Sequence, residues 1–344
     1  MDQDAEKLAL WFVGNNQLEQ DVIIGLKKLY AERIEKKIQT YGRTTALVRH
    51  QRRNEVLLAE NNYISTMQCG DVNALLMRFN TITQIPETMV ALLDVIQKNY
   101  NSAKAIVEII TSDPVLATKV IQFVDSSLYG YPRCIDSVTS AVGIIGRRQL
   151  RLIALSVIFI ELFRSNQSDI IGFNPFWRHS IGCGILCMNI GKEVGYTDGE
   201  RLYLAGLLHD IGRLFMMTET PGMMRDAIHL SGMENCPLYE AELSVFGFDH
   251  CQAGAQMMQT WNCPQFLIDS IGGHHAPDCP NIESCIIYVA DTIAHTTLDG
   301  ESGVLRLPKV SLDNWKKLNL GPSDITRLVA VAAQQYQELT EILI

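Results

Sequence analysis

The chain has 344 residues, 47% of them hydrophobic, with both signs of charge, which admits sizeable cores and excludes a disordered polymer. Its net charge of −9 argues against general affinity for nucleic acid or anionic membrane, since both attract basic surfaces. The opening MDQDAEKLALWFVG lacks a basic n-region and a long apolar run, so no secretory signal is expected. The nine cysteines show no CxxC spacing and read as reduced thiols of a cytoplasmic protein.

Apolar spacing is helical almost throughout and period-two alternation is absent, so the expected class is all-α, a multi-helix bundle. Residues 1–70 carry a basic run of Lys27, Lys28, Arg33, Lys36, Lys37, Arg43, Arg49, Arg52 and Arg53. That run reads as a solvated helix face, or as a docking surface for an acidic partner or for the acidic remainder of the chain. The same region is a candidate sensor or homo-oligomerisation element.

Residues 71–165 contain no histidine, and TMVALLDVIQ, AKAIVEIITS and QLRLIALSVIFI read as helices with buried faces. Asp113–Pro114 supplies an N-cap carboxylate followed by proline at the first helical position. The most apolar stretch, Leu152–Phe163, follows Arg147, Arg148 and Arg151; at about a dozen residues it is too short to span a bilayer and reads as a buried helix. Further on, Asn174–Pro175 is expected to open a helix and Thr197–Glu200 to form a capping box. The loop Asp299–Gly303 leads to a short helix around Trp315, then to an amphipathic helix capped by Ser323 after Pro322. The expected division is 1–70, a domain over 71–298 with halves 71–165 and 172–298, and C-terminal helices over 299–344 packing on that domain.

The chemistry concentrates in 172–298, which holds seven of the eight histidines. His179 lies in FWRHS, His209–Asp210 in LLHDIG, His250 in FGFDH, His274–His275 in GGHHAP and Asp291 in YVADT. Imidazole and carboxylate donors suit iron, manganese or zinc. Seven would suffice for two ions bridged by a carboxylate, an arrangement able to cleave phosphate esters. Adjacent helical residues diverge by about 100°, so His209 and Asp210 can address neighbouring ions. Asp210, with two oxygens, is the candidate bridge. His179, His209 and Asp291 would complete one ion; His250, His274 and His275 would complete the other. Gly212 would let a backbone or a ligand approach closely.

Arg213 is placed to neutralise a phosphate oxygen and Glu242 to act as acid/base or to orient a ligand, although each also reads as an ordinary surface charge. His229 and His295 read as hydrogen-bonded core or surface residues. His179, Cys183 and Cys187, spaced by four, read as a core face more readily than as a thiolate site. An inherited, silent site would keep the same histidines as a packed polar core.

Several separated motifs resemble the signatures of the HDOD domain: Gln84-Ile-Pro-Glu, Thr111-Ser-Asp-Pro-Val-Leu-Ala, Val124-Asp-Ser-Ser-Leu-Tyr-Gly and Ala141-Val-Gly-Ile-Ile-Gly. The resemblance implies a helical bundle in which a histidine-free half packs against an HD-like half. It also implies a bacterial signalling protein that binds a partner protein or a nucleotide-type ligand. His179, His209, Asp210 and Asp291 match the metal series of the wider HD phosphohydrolase superfamily. His250, His274 and His275 match the extra histidines of HD-GYP phosphodiesterases, which act on cyclic dinucleotides. Two departures stand out: the lysine after the HD pair is Arg213, and His275 is followed by Ala-Pro-Asp rather than Gly-Tyr-Pro. The alternative function is accordingly a metal-dependent phosphohydrolase or phosphodiesterase acting on a nucleotide.

Overall fold

Short polar side chains fix many helix starts in this chain by taking up backbone N–H groups that lack a partner in the first turn. The computed structural model describes residues 25–33, 35, 72, 85–97, 102–131, 135–164, 168–276, 278–300, 302–303 and 312–344. The first half contributes α1 (Glu87–Gln97), α2 (Ala103–Thr111), α3 (Pro114–Val124), α4 (Val138–Ile145) and α5 (Arg147–Leu162). The second runs from α6 (Phe173–Glu193) through α7 (Gly199–Leu208), α8 (Ile211–Glu219) and α9 (Pro221–Glu234). It continues with α10 (Leu238–Phe246), α11 (His250–Thr260), α12 (Gln265–Gly273) and α13 (Ile282–Thr297). Two more helices complete the chain, α14 (Leu312–Leu318) and α15 (Pro322–Leu343), and no strand occurs among the described residues. The all-α expectation holds.

Asp113 caps α3 as expected, its Oδ1 accepting from the N–H groups of Val115 and Leu116 at 2.9 and 3.1 Å, with Pro114 as the first helical residue. Two other expected starts are corrected and a third shifts by one residue. The box over Thr197–Glu200 does not form, because Asp198 is drawn into an ion pair with Arg148 at 2.5 Å and Glu200 accepts from the Tyr129 hydroxyl at 3.1 Å. α6 begins at Phe173 with Gly172 as its cap, which puts Asn174–Pro175 inside the first turn. At α15 the capping contact comes from Asp324, whose Oδ2 accepts from the Gly321 N–H at 3.0 Å, and not from Ser323.

α5 is buried on every side from Leu150 to Ile160, lying under α1 to α4 with α7 across from them. Among the described residues no helix is long and apolar enough to cross a membrane. An aromatic seam joins the halves: Phe163 of the α5 end lies 6.4 Å from the rings of both Trp177 and Trp261.

α6 is the central strut of the second half, packing on α7, α13 and α15. It crosses α7 where a Cβ on Gly206 would stand 3.0 Å from the Gly184 Cα and 2.6 Å from the Cys187 sulfur, a spacing only glycine permits. Cys183 and Cys187 are therefore core residues, as their spacing suggests. α15 clasps the first half, with its Glu338 accepting from the Ser127 N–H at 2.9 Å and its Leu343 carbonyl accepting from Lys119 at 2.8 Å.

Residues 25–33 are helical, with Leu26, Tyr30 and Ala31 buried. Arg33 donates to the His295 carbonyl at 2.6 Å, so this member of the basic run docks on the chain itself. Lys36, Lys37, Arg43, Arg49, Arg52, Arg53 and the oligomerisation reading lie outside the described residues.

Candidate metal centre

The second half exists as a site because four helix ends and two helix interiors aim polar groups at one buried point. His179 comes from early α6, and His209 caps the C-terminus of α7. Asp210 then precedes α8, so the HD pair sits at a junction between two helices rather than late on one. His250 opens α11, His274 caps the end of α12, and Asp291 lies inside α13. His179, His209, His250 and His274 are fully buried, and Asp210 and Asp291 are 1% and 3% exposed.

Backbone carbonyls fix the tautomers of two histidines. His209 Nδ1 donates to the Gly206 carbonyl and His274 Nδ1 to the Ile271 carbonyl, both at 2.7 Å. Each is a free acceptor at a helix C-terminus, so each ring turns a lone pair on Nε2 toward the centre. His250 is pinned differently: Glu242 Oε2 accepts from its Nδ1 at 2.5 Å and from its backbone N–H at 2.9 Å. Gly212 completes the support, since a Cβ there would fall 2.1 Å from the His250 carbonyl oxygen and 2.5 Å from the Gly254 nitrogen. The close approach expected at Gly212 is made by a backbone, that of α11.

Donors that bind one ion at about 2.1 Å stand roughly 3.0 Å apart in an octahedron and about 3.4 Å apart in a tetrahedron. Around Asp291 Oδ1 the matching separations are 3.0 Å to His179 Nε2, 3.4 Å to His209 Nε2 and 3.2 Å to His295 Nε2. Asp210 Oδ2 lies 3.4 Å from His209 Nε2, and Asp210 Oδ1 lies 3.3 Å from His250 Nε2. His179 Nε2, His209 Nε2, Asp291 Oδ1 and Asp210 Oδ1 are buried yet make no well-aligned hydrogen bond. Leaving such atoms unsatisfied is costly, and a cation among them removes the cost. The residues present fit a divalent metal.

Among the described residues three groupings could hold an ion: His179 with His209 and Asp291; His209 with Asp210 and His274; and His250 with Cys251, His274 and His275. All seven residues singled out as ligands are thus brought together. His275 stands outermost, 9% exposed, its ring stacked on Tyr239 at 4.9 Å.

Two residues of the cluster escaped the sequence reading. His295 is 5% exposed and stacks on His179 with ring centroids 4.2 Å apart. Its signal was the four-residue step from Asp291, one helical turn, which puts both on the same face of α13. Cys251 sits 3.6 Å from His274 Nδ1, beside His250 in sequence. His229 is part-buried on α9 and joins none of these groups.

The surface-charge alternatives for Arg213 and Glu242 are overturned, because Arg213 is 1% exposed and Glu242 fully buried. Arg213 Nη1 donates to Asp210 Oδ2 at 2.5 Å and to the Ser302 hydroxyl at 3.2 Å, Nε donates to Glu242 at 3.3 Å, and Nη2 lies 3.0 Å from His250 Nε2.

Burial alone would raise the carboxyls, yet Arg213 and the histidines hold Asp210 well below the usual range, and His295 with His179 does the same for Asp291. Burial, aided by His295, lowers His179 to about 4; burial with His209 and His250 lowers His274 to about 3. Both rings are neutral near pH 7, the form that ligates metal.

The HDOD domain family model matches residues 82–277. The chain belongs to the HDOD family. An uncharacterised protein of Treponema pallidum (strain Nichols) is 24% identical over 273 residues, covering 76% of this chain and 52% of that protein. This HDOD chain therefore spans about half the length of the curated relative it matches.

Among solved structures, an HDOD domain protein of unknown function from Geobacter sulfurreducens is similar with a TM-score of 0.61 at 21% identity, covering 79% of this chain and 95% of that one. A candidate metal-dependent phosphohydrolase from Shewanella amazonensis SB2B gives 0.55 at 20% identity, covering 79% and 98%. A candidate signal transduction protein from Marinobacter aquaeolei VT8 gives 0.57 at 16% identity, covering 86% and 65%. At these identities the likeness establishes the shared fold.

Proposed function

We propose that this HDOD protein is a regulatory module of bacterial signal transduction. Its HD half holds a divalent metal as part of the core, and its surfaces engage a partner protein or a small ligand. The observation that carries this reading is the state of Arg213. The cation expected to meet a phosphate is 1% exposed and already engaged by Asp210, Glu242 and Ser302. A phosphodiester would have to displace those contacts inside a buried site, which removes charge-assisted bonds before any are gained.

His179, His209, Asp291 and Asp210 would hold the metal, with His295 adjoining. When bound, the ion supplies Lewis acidity and positive charge. The protein's own groups supply the rest: the Gly206 and Ile271 carbonyls orient two imidazoles, and Glu242 orients the third. A metal-dependent phosphohydrolase is the second reading, favoured by donor atoms left without well-aligned partners.

The test uses the full chain loaded with manganese and offered bis(p-nitrophenyl) phosphate. The expected result is nitrophenolate release no faster than from His209→Ala. A chelator should meanwhile lower the melting temperature of the wild type but not of His209→Ala. Wild-type turnover abolished in His209→Ala would replace the regulatory reading with the hydrolytic one.

A further inference from the structure

A cavity of about 680 Å³ opens where the two halves meet α15, and none of the metal-site residues lines it. That volume is ordinary for a small-molecule site. Two of the HDOD-like motifs end in its wall: Val124–Gly130 supplies Leu128 and Tyr129, and Ala141–Gly146 supplies Ile144 and Ile145. α15 adds Leu328, Val331 and Gln335, spaced along one helix face. Of the eight large apolar side chains exposed among the described residues, Tyr131, Ile144 and Val331 all line this cavity. Such clustering marks a binding surface rather than scattered exposure.

The polar groups of the cavity are partly unspent. Tyr131 stacks on Tyr129 with ring centroids 5.9 Å apart and planes 9° from parallel, while the Tyr129 hydroxyl anchors the pair on Glu200 Oε1 at 3.1 Å. The exposed ring of Tyr131 thus offers a flat surface to another planar ring. Asn189 Nδ2 donates to Gln335 Oε1 at 2.8 Å, which leaves Asn189 Oδ1 to accept and Gln335 Nε2 to donate. One acceptor with one donor complements the amino and ring-nitrogen edge of adenine, whereas guanine presents two acceptors on that edge. Of the lining cations, Arg327 is taken by Glu193 and Asp324, but the exposed Lys192 forms no ion pair among the described residues. A lysine so placed suits a phosphate.

We propose that this cavity binds an adenine nucleotide, with the base stacked on Tyr131, its edge read by Asn189 and Gln335, and its phosphate met by Lys192. A ligand there touches both halves and α15, so occupancy tightens the clasp that α15 makes on the first half. The inference rests on the reading of this chain as a ligand-engaging module and gives that module a place and a ligand.

Adenosine monophosphate is the probe, titrated calorimetrically into the full chain in the presence of chelator. Saturable binding is expected, with a melting temperature that rises with nucleotide concentration. Guanosine monophosphate should bind about tenfold more weakly. Tyr131→Ala should weaken binding about tenfold through lost stacking. Gln335→Leu should erase the preference over guanosine monophosphate. Lys192→Met should weaken the nucleotide yet leave adenosine, which has no phosphate, unchanged.

No saturation by about 5 mM, or saturation unaffected by Tyr131→Ala, would overturn the site while leaving the regulatory reading, which turns on hydrolysis, untouched. Binding that requires manganese would place the nucleotide at the metal centre and overturn the site as well. Equal affinity for the two nucleotides would overturn the edge assigned to Asn189 and Gln335.

Discussion

Adding one methyl group at Gly212 is the sharpest perturbation the structure offers. In Gly212→Ala the new Cβ would lie 2.1 Å from the His250 carbonyl oxygen, 2.5 Å from the Gly254 nitrogen and 3.0 Å from the Gly254 Cα. Ordinary contact requires roughly 3.4 Å or more, so α8 and α11 must separate by more than about 1 Å. Overpacking typically costs about 1–3 kcal/mol. Here the obstacle is backbone on both sides, which cannot rotate away, and the shift also disturbs the Glu242–His250 alignment. The upper end, about 3 kcal/mol, is expected, equivalent to a melting temperature lower by roughly 6–12 °C for a unit of this size.

Gly143→Ala is the matched control: it lies inside α4 with nothing within 4 Å of the added Cβ. It should gain about 0.5–1 kcal/mol from helix propensity. Both variants would be followed by circular dichroism melts in the presence of manganese, with metal content measured in parallel. A Gly212→Ala protein melting within about 1 °C of wild type with full metal would refute the crossing as the support of His250.

The metal-free protein should lose stability as pH falls. His179 and His274 are lowered to about 4 and about 3, below the ordinary 6.5 of an unfolded histidine, so the unfolded chain binds more protons across that window. Their contribution is full above pH 6.5 and declines toward pH 4, and Asp210, Asp291 and Glu242, held low by their cationic neighbours despite burial, decline further in acid. His209 runs the other way, because Asp210 raises it against burial, and offsets part of the loss. Urea midpoints in chelator should be lower at pH 5 than at pH 7.5; equal midpoints would contradict these shifts. Separately, Asp113→Ala removes a cap accepting from two N–H groups and should cost about 1 kcal/mol. A change under a few tenths of a kcal/mol in urea titration would show that the first turn of α3 is satisfied by water.

The helical class and the ligand series were legible because both are written as spacing: the step of about 3.6 residues for buried faces, and paired histidine and aspartate at apolar helix ends. What escaped depended on partners remote in sequence. Asp198 could not be known to prefer Arg148 over the first turn of α7, nor Glu200 to be taken by Tyr129. His295 was judged alone, though its meaning comes from Asp291 one turn before and from His179 on another helix. The burial of Arg213 was not legible because the residues that enclose it, Glu242 and Ser302, are 29 and 89 positions away.

The helix carrying Asp291 and His295 begins at Ile282, beyond residue 277 where the HDOD match ends. The signature that defines kinship and the helix that closes the donor set are thus separate stretches of chain, joined by the packing of that helix on α6, α7 and α12. A fragment trimmed to the match would keep the family's identity and lose the carboxylate oxygen around which His179, His209 and His295 gather.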